Sequence, residues 1–455
     1  MTREWRRKAV APAYLFLCLI LGGSVQGVWG NAVLQTLAIL IIANFLGNPS
    51  RQPLTRPTKV LAMILGATIG LALIQLVPLP PAIWTLLPGR EFIVDGRILL
   101  GLPLGWGSIS LTPFDTVATM LSLLPPVALF LAVVSAGGKN DLWLAVALAV
   151  ATLAGSLLGL LQVSSGIPTQ SPWYLYKVSN FGFATGFFAN SNHMASQLLV
   201  ALPFVAALGL SAAESSKDGR KRYSLLALVT GGIGMLVVGL ALNGSLAGAG
   251  LLLPVTLATL LMALPISRGK KLAATGAGIL AFAGFLALLF TPLGERIALT
   301  GASTSISTRQ EILAHSVEAI GEFGPVGSGL GSYAKIYPLF EDPDSIDRTW
   351  VNHAHNDYVE LAVELGVPGI FMFIIFLLWW ASAAFQMLSA PNASLFAKAG
   401  AIGSAAILLH SLVDFPLRTS AISSLFALCL AMIVLSRRSA ATSKDLREAR
   451  HLVIE

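Results

Sequence analysis

Hydrophobic positions in this chain fall in long unbroken blocks, not in the alternating or 3.6-residue stripes of a water-soluble protein. Blocks of about 20 apolar residues can cross the hydrocarbon core of a bilayer as helices, because a helix satisfies its backbone groups within its own segment. Twelve are predicted, near 10–28, 31–47, 60–78, 115–136, 142–163, 193–212, 224–242, 246–266, 272–291, 366–386, 398–416 and 419–436. The first follows a basic start of Arg3, Arg6, Arg7 and Lys8, the flank of a signal peptide as well. No small-residue cleavage site with a polar mature region follows it, so it is read as a span. The expected fold is all-α, a polytopic integral membrane protein of about twelve transmembrane helices. Helices 1–9 occupy 1–291, an extramembrane segment 292–365, helices 10–12 occupy 366–436, and a basic tail 437–455, all in one membrane domain.

The segment 292–365 is too long for a connector and reads as folded. Ser307 and Thr308 precede Gln310 and Glu311 at capping-box spacing, which predicts a helix start there. Ile312, Leu313, Val317 and Ile320 recur at helical intervals, while Arg309, His315, Glu318 and Glu322 take other faces. This amphipathic helix is expected on the membrane or against the bundle. The run GPVGSGLGSY (324–333) ends it. Without a preceding strand it is no nucleotide loop; it either lets backbone amides approach a ligand or simply stops the helix. A second helix is predicted to start near Asn352–Asn356 and to run through DYVELAVELG into the tenth span.

Composition narrows the class. Of 455 residues 55% are hydrophobic and 11% charged, with a mean hydropathy of +0.77. Soluble domains carry about 25% charged residues, so a soluble enzyme, a disordered chain and a nucleic-acid binder are excluded. The net charge of +7 is better read as a topology signal than as a phosphate-binding surface. With the N-terminus in the cytoplasm, 21 of the 29 Lys and Arg fall in inner segments. The outer eight are Arg90, Arg97, Lys177, Arg296, Arg309, Lys335, Arg348 and Arg418. Both termini are therefore expected inside, with the longer segments 79–114, 164–192 and 292–365 outside. Cys18 and Cys429 lie in separate apolar runs and predict neither a disulfide framework nor a cysteine metal site.

Candidate chemistry lies on the outer side. Five of the six histidines, His193, His315, His353, His355 and His410, sit in or near the outer half, and His451 is in the tail. Asn190, Asn192 and His193 stand at the lip of the sixth span, as helix cap or as part of a site. His410 and Asp414, at i and i+4, are either functional groups partnered with each other or a buried structural pair. In 79–114, PLPPAIWTLLPG suits an interfacial segment, and Arg90, Glu91, Asp95 and Arg97 are either solvated or line a site. His353, His355 and Asp357 have metal-like spacing, but no cysteine and no clear further ligand accompany them, and no metal is expected.

FANSNHMA (188–195), STRQEIL, the glycine run, HAHNDYVELAVELGVPG (353–369) and HSLVDFP (410–416), in this order and on the outer face, resemble the O-antigen ligase superfamily. That superfamily also contains Wzy-type O-antigen and exopolysaccharide polymerases. The resemblance covers about 185–420 and implies a membrane glycosyltransferase of the bacterial inner membrane with its active face in the periplasm. Such a protein transfers glycan from an undecaprenyl-diphosphate-linked oligosaccharide to a hydroxyl of an acceptor, either the lipid A core or a second lipid-linked glycan. No cofactor and no metal is implied, and the expected partners are these glycans and membrane lipids, with no nucleic acid. By resemblance, Arg309 and His355 are the catalytic pair.

The chemistry suits them. Arginine offers permanent, bidentate charge to a diphosphate leaving group, and a histidine is a suitable base for an acceptor hydroxyl. Asn356, Asp357, His353, His193, Asn190, Asn192, His410, Asp414 and Arg418 are candidates for binding substrate around them, with Asn356 and Asp357 also able to fix the His355 ring. One position departs from the family. Where many members have arginine in a Ser-Arg-Gly element, NGSLAGAG (243–250) has Leu246, so either Arg418, Arg90 or Arg97 substitutes or the chemistry has changed. Competing readings are a secondary transporter, which would place ionisable groups near the midplane where these spans have almost none, and a non-catalytic component of a polysaccharide export complex.

Overall fold

A computed structural model describes residues 3–24, 29–47, 54–263, 303–342, 350–390 and 392–452, with isolated positions 267, 269, 276 and 278. Its longer helices are α1 (Arg3–Leu21), α2 (Trp29–Leu46), α3 (Arg56–Gln75), α4 (Glu91–Leu99), α5 (Pro113–Ser122), α6 (Leu124–Ala136), α7 (Asp141–Val163), α8 (Ser191–Ser215), α9 (Gly219–Asn243), α10 (Leu246–Ala263), α11 (Ser303–Phe323), α12 (Asp357–Ser389), α13 (Leu395–His410) and α14 (Ser420–Leu452). Among the described residues the only pairing of β type is a bridge between Leu79 and Gly107. The protein is an all-α polytopic membrane protein. Among the described residues eight stretches are long and apolar enough to cross a membrane as they stand, and Ala9–Leu21, Leu395–His410 and Ser420–Ser436 are shorter apolar helices. Together they cover the predicted spans except the ninth, 272–291, which falls outside the described residues apart from two isolated positions.

The fourth span stands as one stretch, Pro113–Ala136, with a break inside it, and the reading of the amphipathic helix needs correction. The fourth span is broken at Leu123 into α5 and α6, because Pro125 and Pro126 have no N–H to offer the last turn of α5. The amphipathic helix α11 begins at Ser303, so Ser307 and Thr308 lie inside it and are not its start. Its buried face is also rotated from the expected one. Ile312, Ser316, Ala319 and Phe323 are buried, whereas Leu313 and Val317 are exposed. That face packs on Tyr333, Ile336, Tyr337, Ala354 and Val363, so α11 leans on the start of α12.

The core of the bundle is α8, packed against α7, α9, α10 and α13 and burying Met194, Leu198, Leu199, Val200, Leu202 and Phe204. Its first residues sit where the site forms. Three buried amides tie the neighbouring helix ends to loops on the same side. Gln75, ending α3, donates to the Glu364 carbonyl (2.9 Å) and accepts from the Leu330 amide (3.0 Å). Gln162, in the last turn of α7, accepts from the Thr185 and Gly186 amides, both at 2.9 Å. Asn243, ending α9, donates to the carbonyls of Ala184 (2.8 Å) and Ser191 (2.6 Å). A primary amide has donors and an acceptor, which lets one side chain satisfy several backbone groups where water is scarce. The ends of α7 and α9 are thus tied to one loop, and the end of α3 to the glycine run and α12.

The glycine run is a packing device. Gly327, Gly329 and Gly331 have φ of 79°, 113° and 81°. Their amide neighbourhood is fully used: the amides of Ser328 and Gly329 donate to the carbonyls of Val363 (3.0 Å) and Glu364 (2.9 Å), and the Gly331 amide faces the Glu364 carboxylate. The reading in which these amides approach a ligand is therefore not supported by the fold. The contact bends α12 at Gly366 (φ 59°, ψ −153°), whose neighbour Val367 donates to Pro325 (2.9 Å). Only glycine takes that backbone region freely, and a Cβ there would lie 2.1 Å from the Pro325 carbonyl oxygen. Gly366→Ala is expected to destabilise the protein by at least about 1–3 kcal/mol, seen as a lower thermal unfolding temperature in detergent. Gly66→Ala, with no atom within 4 Å of its Cβ, serves as the unaffected control.

Candidate active site

The site is assembled where the N-termini of α8 and α12, the C-terminus of α13 and the turn before α14 meet. Asn356 caps α12, its side-chain oxygen accepting from Tyr358 (3.0 Å) and Val359 (3.1 Å), and its amide donates to the Leu412 carbonyl (2.9 Å). Asparagine is favoured at such a cap because a short side chain reaches the orphan amides of the first turn. The Tyr358 hydroxyl donates to the Leu408 carbonyl, a second link from α12 to α13. These bonds place HAHN against HSLVDFP.

His355 is held in a left-handed backbone, φ 49°, unusual for a residue with a Cβ. The turn sends the two histidines of HAH to different carboxylates. His355 Nδ1 lies 3.0 Å from Asp414 Oδ1, and His353 Nδ1 lies 2.9 Å from Glu360 Oε1. Phe415 separates them. Its ring stacks on His353 at 4.1 Å and meets His355 and His193 edge-on at 5.0 Å each. His355 is 26% exposed and Asp414 is fully buried, so the imidazole is presented outward from a carboxylate set behind it. Burial alone would raise the Asp414 carboxyl, but the His355 hydrogen bond and the charges of His355, His193 and Arg309 hold it below the usual carboxylate range. It is ionised at neutral pH. That aligns His355 with Nδ1–H toward the carboxylate and Nε2 free to take a proton.

A second cluster supports the first. Arg418 reaches Glu364 (3.0 Å), Glu360 (3.4 Å) and Asp357 (3.6 Å), and these three carboxylates hold its guanidinium above its ordinary value against the effect of burial. Ser411 donates to Asp357 at 2.8 Å, and the Ala354 amide to Glu360 at 3.1 Å. The acids stand at i, i+3 and i+7 on one face of α12, a spacing that is visible in DYVELAVE and marks a shared partner.

The other expected residues are placed as follows. The side chains of Asp414 and His410 are not hydrogen-bonded to each other as the i, i+4 spacing suggests: α13 ends at His410, the Asp414 backbone amide donates to the His410 carbonyl (3.1 Å), and His410 Nδ1 is 2.8 Å from Ser196 Oγ. Asp357 does not fix the His355 ring, a role taken by Asp414. Asn190 caps α8 through the Asn192 amide (2.8 Å), with Asn192 itself half-buried. His193 and His410 are buried. Arg309, half-exposed on α11, is near enough that its charge acts on Asp414 and His410. Of the cations considered as substitutes at Leu246, Arg418 is engaged by its carboxylates. Arg90 is buried, donating to the carbonyls of Pro88 (2.6 Å), Ile109 and Gly327 (3.1 Å) over the Phe323 ring. Burial lowers its guanidinium to about 10. Arg97 donates to the Pro103 carbonyl (3.0 Å). Among the described residues no three His, Cys, Asp or Glu side chains are arranged to hold a metal ion.

Phe415, Glu360, Glu364, Ser196 and Ser411 are the members that residue-by-residue reading misses. The acidic face of α12 is the one signal that points to two of them.

Residues 231–374 match the protein-family model described as O-Antigen ligase. That segment belongs to the O-antigen ligase family. No curated protein matches the chain. The O-antigen ligase segment runs from within α9 to within α12 and carries Arg309, His353, His355 and the acids of α12. The partners of those side chains, Asp414, Phe415, Arg418 and His193, come from outside it.

Proposed function

We propose that this protein transfers glycan from an undecaprenyl-diphosphate-linked donor to an acceptor hydroxyl at the periplasmic face of the bacterial inner membrane. The family supports an O-antigen ligase or polymerase type of activity in general. The observation that supports the finer reading is the partly exposed His355 backed by buried Asp414, with the charge of Arg309 acting on that carboxylate. In this mechanism His355 Nε2 takes the proton of the acceptor hydroxyl as its oxygen attacks the anomeric carbon of the donor sugar. The bond from that carbon to the diphosphate oxygen breaks, and undecaprenyl diphosphate leaves as an anion. Asp414 stabilises the imidazolium that forms, as a buried carboxylate does behind a catalytic histidine. Arg309 meets the charge that develops on the leaving group.

Leu246, half-buried at the start of α10, cannot bind phosphate, which favours a divergent polymerase over a standard ligase. Arg309→Ala is expected to lower turnover about 10²–10³-fold, the usual cost of removing a donor to a developing anion. Arg309→Lys should recover little, for want of bidentate geometry. The deciding assay uses purified protein and a defined undecaprenyl-diphosphate oligosaccharide. A ladder of lengthening lipid-linked chains means polymerase, and transfer only when lipid A core is supplied means ligase. No product under either condition overturns the reading.

A further inference from the structure

Two buried polar groups behind His355 face each other without a hydrogen bond. His193, 2% exposed, stands in the first turn of α8, which Asn190 caps. Among the described residues neither of its ring nitrogens has a hydrogen-bond partner, and Asp414 Oδ2 has none either. His193 Nε2 and that oxygen are 4.0 Å apart, about 1 Å beyond hydrogen-bond length. The other Asp414 oxygen is on His355 at 3.0 Å. Phe188 and Phe415 close over the His193 ring, edge-on at 6.4 and 5.0 Å. Burying a donor and an acceptor unpaired is unfavourable when a small rotation joins them. His193 is too deep to touch a glycan, and the carboxylate its Nε2 approaches is that of Asp414.

We propose that His193 is a positioning residue, whose Nε2–H closes on Asp414 Oδ2 and fixes the carboxylate so that Oδ1 stays on the Nδ1–H of His355. One carboxylate thereby joins a histidine from the lip of α8 to the histidine of the outer segment. The inference rests on the glycan-transfer reading and on His355 as its base. Around Asp414 the charged and titratable groups are His355 from the turn before α12, His193 from α8, His410 from α13 and Arg309 from α11; His193 also faces His353, His355 and His410. With His193 removed, the full charge of Asp414 falls on His355, which then holds its proton more firmly.

The test compares His193→Phe, which keeps a ring between Phe188 and Phe415 but has no N–H, with His193→Gln, whose Nε2 can reach the place of the imidazole Nε2–H. In the undecaprenyl-diphosphate oligosaccharide assay, His193→Phe is expected to lower kcat about 10- to 100-fold, the usual effect of losing a group that orients a primary one. KM should be unchanged and the acid limb of the kcat/KM profile should move to higher pH. His193→Gln should restore kcat to within a few-fold and leave the limb in place. Wild-type turnover in His193→Phe, or losses in both variants without movement of the limb, would overturn the proposal. If His193→Phe fails to insert, His193→Gln decides alone: near wild-type turnover supports it and a deep loss overturns it. His355→Ala run in parallel separates the two ideas, because activity surviving there removes the transfer mechanism itself, whatever His193 does.

Discussion

His355→Ala protein is expected to insert and purify like the wild type yet to lose glycan transfer by about 10²–10⁴-fold, the contribution of a well-placed general base. The cause is local. His355 is the partly exposed half of the pair with Asp414, and in the proposed mechanism alanine leaves nothing to take the acceptor proton. Asp414→Asn should be nearly as damaging for a different reason. An amide still fills the space, but it can donate to Nδ1, which stabilises the tautomer that carries its proton on Nε2 and so blocks the base. Product length and amount from a defined lipid-linked oligosaccharide check both variants. Wild-type ladders from either would remove the dyad from the mechanism.

Arg418→Met should unfold more easily rather than merely work less well. Its guanidinium is the only cation that an ion pair joins to Asp357, Glu360 and Glu364 among the described residues, apart from His353 on Glu360. Methionine keeps much of the volume but leaves three carboxylates buried around a neutral side chain. Removing one partner of a buried ion pair typically costs about 3–5 kcal/mol, most of it from the charge left behind. The measurement is thermal unfolding in detergent, with a clear fall in midpoint expected. Neutralising the carboxylate in closest contact, as Arg418→Met with Glu364→Gln, should recover part of the loss. An unchanged midpoint in the single variant would show that the acids are protonated or hydrated in the fold and that Arg418 is not their counter-charge.

The spans were readable because insertion depends on contiguous local hydrophobicity, and each apolar block carries its own signal. The same holds for the N-terminus of α12, where Asn356 caps the helix within two residues of its start. The break at Pro125 and Pro126 was also written in the chain, but a run of apolar residues through it masks the boundary. The amphipathic face of α11 was misread because Ser316, an apparently polar position, bonds to Tyr333 at 2.7 Å and is buried, while Val317 is exposed. Side-chain polarity predicts burial only on average, and a hydroxyl with a partner can go inside.

The sequence by itself determined the membrane class, eleven of the twelve spans, those that the described residues can be compared with, and the polar segment that carries HAHN. Only the tertiary structure decided which carboxylate each histidine takes. His355 meets Asp414 across 59 residues of chain, His410 turns to Ser196 across 214, and Arg90 and Arg418, equal candidates as letters, are both enclosed by backbone carbonyls or carboxylates. The reason is physical. Helix formation in a membrane is governed by neighbours along the chain, whereas a hydrogen-bond partner is set by which helix ends pack together, and that choice depends on contacts distant in sequence.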